Sequence, residues 1–145
     1  MPEKATTSRA RSDLRKGKAK STAAGEFVRE EMEHIREGKH GARSAKQAIA
    51  IGLSKARRAG IDPGKPRTKR ARKQAKRDTA RAHSHKAVSR TRSRATSKAL
   101  KREGHAAASH KSLARQAHRS ASRRTHAQRS ASARKAAATR KREAA

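Results

Sequence analysis

Large apolar side chains fall almost entirely within one short window of the chain. Phe27, Val28, Met32, Ile35, Ile49, Ile51, Leu53 and Ile61 lie in residues 25–61, residues 65–145 hold only Val88, Leu100 and Leu113, and residues 1–24 read as a disordered, polar, basic arm. Within the window, Val28, Met32 and Ile35 recur at steps of four and three, which places them on one face of a helix from about Glu26 to Glu37. Gly38 then offers the left-handed residue that ends a helix. A second helix starts at Ser44, which with Gln47 forms a capping box, and Ala45, Ala48, Ile49, Gly52, Leu53 and Ala56 keep one of its faces small or apolar. Gly60 and Ile61 predict a Schellman end, and Asp62-Pro63-Gly64 a turn that separates the window from the basic C-terminal half of the chain.

The predicted unit is a helical hairpin over residues 25–61. It is small, because eight large apolar side chains in so short a segment lie below what usually folds alone. A homodimer through residues 25–61, or a ligand, is the expected way of completing it. The first helix is rich in Glu (Glu26, Glu30, Glu31, Glu33, Glu37) and the second ends in Lys55, Arg57 and Arg58, so the two attract if packed antiparallel. Pairs of that kind are worth little while exposed.

Residues 62–145 form a low-complexity tail rich in Ala, Arg, Lys and Ser. No proline follows Pro66, and Ala, Lys, Arg and Gln favour helix, with a break expected near Gly104. No apolar stripe supports such a helix, and its cations repel one another around the cylinder. The expected fold class is therefore mostly α, a small helical hairpin plus a long basic tail that is disordered or partly helical until phosphates neutralise it. Short repetitions (Ser84-His85-Lys86 with Ser109-His110-Lys111, and Arg119–Ser122 with Arg129–Ser132) read as compositional drift.

Charge changes the picture from fold to partner. The 145 residues carry 42 Lys or Arg against 11 Asp or Glu, a net charge of +31, and the sequence pI is about 12.0. Residues 65–145 alone hold 27 cations against three acids, a net +24. Such a polycation associates with polyanions by counterion release, and nucleic acid is the abundant one. No membrane span is expected, since no long apolar run exists. The only aromatic side chain is Phe27, so base stacking, which single-strand and RNA binders use, has no apparatus. Duplex DNA is the expected partner, with RNA or ribosome association the alternative because Arg itself stacks on bases, and a protein adaptor role for the hairpin a third reading.

The nucleic-acid-binding residues expected by charge and position are Lys39, Arg43 and Lys46 around the hairpin turn, and in the tail Lys69, Arg70, Arg72, Lys73, Lys76, Arg77, Arg90, Arg92, Arg94, Lys101, Arg102, Arg123, Arg124, Arg134, Lys135, Arg140, Lys141 and Arg142. The loop Gly38–Ser44 is glycine-bearing and cationic, but it lacks the Walker spacing and is an ordinary interhelical turn without any ligand. It is also longer than the usual turn of a helix-turn-helix reader.

Other chemistries find little support. Of eight histidines, His83 and His85 are closest in sequence, but on a helix they point about 200° apart, and cysteine is absent, so no zinc site and no cofactor is expected. No Cys or Tyr nucleophile exists, and serines in a mobile tail have no oriented base, so the chain is not expected to be an enzyme. The first 20 residues carry charges throughout and lack the apolar stretch of a secretory signal, which points to a cytoplasmic, nucleoid location.

The stretch Gly38-Lys39 followed by Lys46-Gln47-Ala48-Ile49-Ala50-Ile51-Gly52-Leu53-Ser54-Lys55-Ala56 resembles a small bacterial domain family with a glycine-lysine, then KQAIAI-x-LS-x-A core, over residues 25–61. That resemblance implies a bacterial origin and carries no activity or functional residue with it. Residues 65–145 resemble the Ala/Lys/Arg/Ser tails of linker histones and bacterial histone-like proteins.

Overall fold

The structure, a computed structural model, describes residues 3–66, 68–84, 87 and 89–144. Val88 and the His85-Lys86 pair of the repeated motif lie outside them. Among the described residues the chain is helical throughout: α1 (Lys4–Arg15), α2 (Lys20–Arg36), α3 (Ala45–Arg58), α4 (Lys69–Ala82), α5 (Arg90–Lys101), a 3-10 turn (Ala106–Ala108), α6 (His110–Ser122) and α7 (His126–Glu143). They fall into two units, residues 1–109 and 110–145.

The hairpin of α2 and α3 is present, and its punctuation follows the sequence. Gly38 has φ +74°, and the Lys39 and Gly38 amides close onto the carbonyls of His34 and Ile35 at 3.0 and 3.2 Å, a Schellman end. Gly60 does the same for α3, with Ile61 N–H donating to Ala56 at 2.9 Å. At the start of α3, Ser44 accepts from the Gln47 amide at 3.2 Å. The Gln47 side chain, however, takes the amide of Arg43 and not that of Ser44, so only half of the capping box forms.

The residues before the hairpin are not a disordered arm. α1 packs on α2, and α2 itself begins at Lys20, not Glu26. Thr6 and Ala10 are fully buried and Leu14 packs against the same core as Ala10, a stripe at steps of four in which Leu14 is the one large apolar member, too few to register as an apolar pattern. The main core joins Ala10 of α1, Ala23, Ala24 and Phe27 of α2, Ala56 of α3 and Ile61, with Leu14 and Leu53 against its edge. Gly52 lets α3 meet α2 at the backbone.

The residues after the hairpin correct the expectation of a disordered or partly helical tail. α4 docks on α3 through Ala75 and Asp78, 8% and 1% exposed. The Ala106–Ala108 turn docks on α2 and α3, burying Ala107 and Ala108, while Arg36 donates to the Ala108 carbonyl at 3.0 Å. The amides of Gly41 and Ala42 donate to Leu100 and Gly104 at 2.9 and 3.1 Å, tying the hairpin loop to this segment. α1, α4 and the alanine turn of the same chain thus cover the hairpin.

Helices α5, α6 and α7 bury no side chain. Apart from the Gly41 bond to Leu100, they are held by local terms: good helix formers and N-caps in which the Ser89 hydroxyl accepts from the Arg92 amide and the Thr125 hydroxyl from the Gln128 amide, the latter a full reciprocal capping box. The interruption expected near Gly104 is there, and further breaks occur after His83 and at Arg123–Thr125.

Candidate nucleic-acid interface

α4 sorts its residues sharply. Asp78 faces α3, accepting from Ser54 Oγ at 2.5 Å and from Gln74 Nε2 at 3.2 Å, with Arg58 3.7 Å away. At 3.6 residues per turn, Lys69, Arg70, Lys73, Lys76 and Arg77 fall within about 120° of arc on the side opposite Ala75 and Asp78. All five are exposed. The only acid of this helix is turned inward, so its outer face is purely cationic.

Between α3 and α4 runs a groove of about 930 Å³ whose lining includes Lys46, Lys65, Arg70, Lys73 and Arg77. It places Lys46, expected to act from the hairpin, on one groove with Arg70, Lys73 and Arg77 at the edge of the α4 arc. Sequence reasoning missed Lys65 and Arg57, also on this groove, because nothing marked the stretch after Gly64 as folding back; Arg57 is held by Asp62 at 3.4 Å. Arg72 is exposed but donates to the Pro66 carbonyl at 2.8 Å, fixing the entry to α4.

The other expected residues are distributed. Arg94, Lys98 and Lys101 of α5 and its C-cap Arg102 line one shallow concavity of about 430 Å³, Lys98 being the member that was missed, while Arg90 and Arg92 are exposed elsewhere on the helix. Arg43 is 81% exposed with Glu103 at 3.7 Å. Lys39 is already engaged by Glu37 at 2.9 Å and Glu3 at 3.7 Å; the hydrogen bond to Glu37 chiefly raises its pKa. In the second unit, Arg123 is exposed and Arg124 donates to the Gln128 carbonyl at 2.8 Å. Arg134, Lys135, Lys141 and Arg142 are exposed and fall within about 120° of arc on one side of α7, while Arg140, also exposed, lies on the other side with Arg129.

The electrostatics divide the first unit. Seven of the 11 acids lie within residues 3–37, and two of them, Glu30 and Glu31, are 2% and 0% exposed. Lys55 answers both, its Nζ 3.3 Å from Glu30 and 2.7 Å from Glu31, a buried form of the attraction expected across the hairpin. Burial pushes the Glu30 pKa up, but hydrogen bonds from Thr6 and the Glu3 amide, together with Lys55, outweigh it and leave the carboxyl below its ordinary value. Near this end Glu31, His34 and His40 converge; His83, by contrast, is exposed at the end of α4 and its expected neighbour His85 lies outside the described residues. No helix among the described residues is long and apolar enough to cross a membrane.

No protein-family model, no curated protein and no solved structure matches the chain.

Proposed function

We propose that the chain binds duplex DNA without sequence preference and condenses it, as a nucleoid-associated, histone-like protein of bacterial type. The observation that carries this reading is the outer face of α4, five cations on one arc, three of which (Arg70, Lys73 and Arg77) also line a groove shared with Lys46, and the helix's acid turned inward. A rigid helix presenting its charges on one side can meet several phosphates together, and each contact releases condensed counterions. Phe27 is fully buried, so it is not available as a stacking platform, which favours duplex over single strands. The α6–α7 unit adds a second cationic body on the same chain, giving one molecule two places to hold duplex.

The test is the salt dependence of binding of the full chain to random-sequence duplex, with structured RNA as competitor. With six to ten phosphates contacted, affinity falls by about 10³- to 10⁵-fold between roughly 50 and 200 mM salt. Structured RNA that displaces the duplex at much lower concentration would move the assignment to RNA. A shallow slope would leave the hairpin as an adaptor surface and the cations as solvating charge.

A further inference from the structure

The acidic end of the first unit holds a side-chain cluster that DNA binding does not use. Glu31 lies on α2, His34 is one turn further along the same helix, and His40 comes after the Gly38 turn. One donor atom from each lies within 4.8 Å of the other two. Glu31 is 0% exposed, and neither of its carboxylate oxygens accepts a hydrogen bond. Lys55 Nζ stands 2.7 Å from Oε2, close enough for an ion pair but out of line for a hydrogen bond. A buried carboxylate so placed calls for a directed positive partner.

His40 shows where that partner belongs. Its Nδ1 is 3.2 Å from the Gly41 carbonyl; a carbonyl only accepts, so Nδ1 carries the proton and Nε2 of the neutral ring presents a lone pair. Nε2 is 3.4 Å from Glu31 Oε1. Two acceptors facing each other across that gap require a positive charge between them, a proton or a metal ion. A proton would make a hydrogen bond, and Oε1 accepts none in this geometry. Two ligands about 2.0–2.1 Å from a tetrahedral ion stand roughly 3.3–3.4 Å apart, the spacing seen here.

The surroundings are those of a metal site as well. Glu3 Oε1 holds Nε2 of His34 at 3.0 Å, and a carboxylate on one imidazole nitrogen raises the basicity of the other. The Gly41 carbonyl fixes the His40 tautomer in the same way, and Lys55 attends the second oxygen of Glu31. Although the chain carries +31 overall, the acids of residues 3–37 make this end locally favourable to a dication.

We propose that Glu31, His34 and His40 form a three-ligand site for a zinc-class divalent transition metal, its fourth position taken by water. Two imidazoles and one carboxylate suit zinc, cobalt or nickel and not magnesium or calcium, which take oxygen ligands. By linking α2 to the loop after it, the ion stabilises the folded first unit through mass action. This site is independent of the DNA reading, and its test involves no nucleic acid.

The full chain, stripped with a chelator, is titrated with zinc chloride by calorimetry and with cobalt(II) by visible absorption. One saturating equivalent, the intense visible band of four-coordinate cobalt, and a rise in melting temperature with zinc but not magnesium are expected. His34→Ala and His40→Ala each weaken zinc binding by at least about tenfold, whereas His118→Ala on α6 leaves it unchanged. Circular dichroism of the metal-free variants shows whether they fold, and His40→Gln at the partly exposed ring serves where an alanine variant does not. Absence of a saturable equivalent, or unchanged binding after both histidines are replaced, would overturn the site and leave the Lys55 ion pair as the only charge partner of Glu31 among the described residues.

Discussion

The Cα of Val28 lies 2.7 Å from the point that a Cβ on Gly52 would occupy, and the Phe27 carbonyl oxygen 2.9 Å from it. Here α2 and α3 touch backbone to backbone, and only a residue without a side chain fits. Gly52→Ala improves intrinsic helix propensity by about 1 kcal/mol, yet it must push two helices apart. Overpacking of that kind costs about 1–3 kcal/mol beyond what propensity returns. Urea denaturation of the variant is expected to show a net loss of stability; a gain would mean the hairpin has slack at this crossing.

Gly25 gives the opposite sign. It sits inside α2 at ordinary helical φ, is exposed, and a Cβ there meets nothing within 4 Å. Gly25→Ala should therefore stabilise the chain by about 0.5–1 kcal/mol, chiefly by restricting the unfolded state. The pair of variants, measured by the same denaturation, separates propensity from packing on a single hairpin.

What was legible in the sequence tracked large apolar residues and glycines. Phe27 and Ile35 mark the buried side of α2, and Gly38 and Gly60 end their helices where their positions promised. What escaped was built from alanine. Ala10 against α2, Ala75 against α3 and Ala107–Ala108 against the hairpin each bury little area, so no periodic signal reports them, yet together they fold the flanks that charge counting assigned to coil. The cationic face of α4 was hidden for a related reason. Its residues were identified one by one, but the face exists only because Asp78 and Ala75 fix which side of the helix turns inward. The Glu31–His34–His40 cluster was missed because its third member lies beyond a Schellman turn that redirects the chain.

Asp78 is the polar anchor of α4, 1% exposed and hydrogen-bonded to Ser54 and Gln74. Asp78→Ala leaves the Ser54 hydroxyl without its acceptor at a cost of about 1–3 kcal/mol. Hydrogen exchange should show the loss of protection concentrated in residues 69–82, with α1 and α2 little changed. Uniform loss across the first unit would mean that α4 is an obligatory part of its core and not a docked helix.

Acid should weaken the first unit through Glu30. Its folded pKa lies below the ordinary 4.5, so folding favours the charged form. The stabilisation is complete above the unfolded value and is lost as pH falls through the folded one. Urea denaturation between about pH 3 and 7 is expected to show this fall, and Glu30→Gln should flatten it while lowering stability at neutral pH, where Lys55 loses a partner. A variant whose acid slope matches the parent would move the effect to other carboxylates.

Placement of charge, and not its amount alone, should decide how the chain holds DNA. Replacing Lys69, Arg70, Lys73, Lys76 and Arg77 by Gln removes five charges from one face of α4, and replacing Arg129, Arg134, Lys135, Arg140 and Arg142 removes five from around α7, no more than three of which share an arc of about 120°. A duplex lying along α4 can meet all five of its cations, each contributing about 0.9 to the slope of log affinity against log salt, so that slope should drop by about 4.5. Around α7 a single duplex reaches at most three of these cations at once, and a drop of no more than about 2.7 is expected. Both variants keep the fold, because all ten side chains are exposed. Equal drops would show that the chain binds as a diffuse polycation, with the orientation of α4 on α3 irrelevant to the contact; a larger drop for α4 would tie the affinity to the way Asp78 seats that helix.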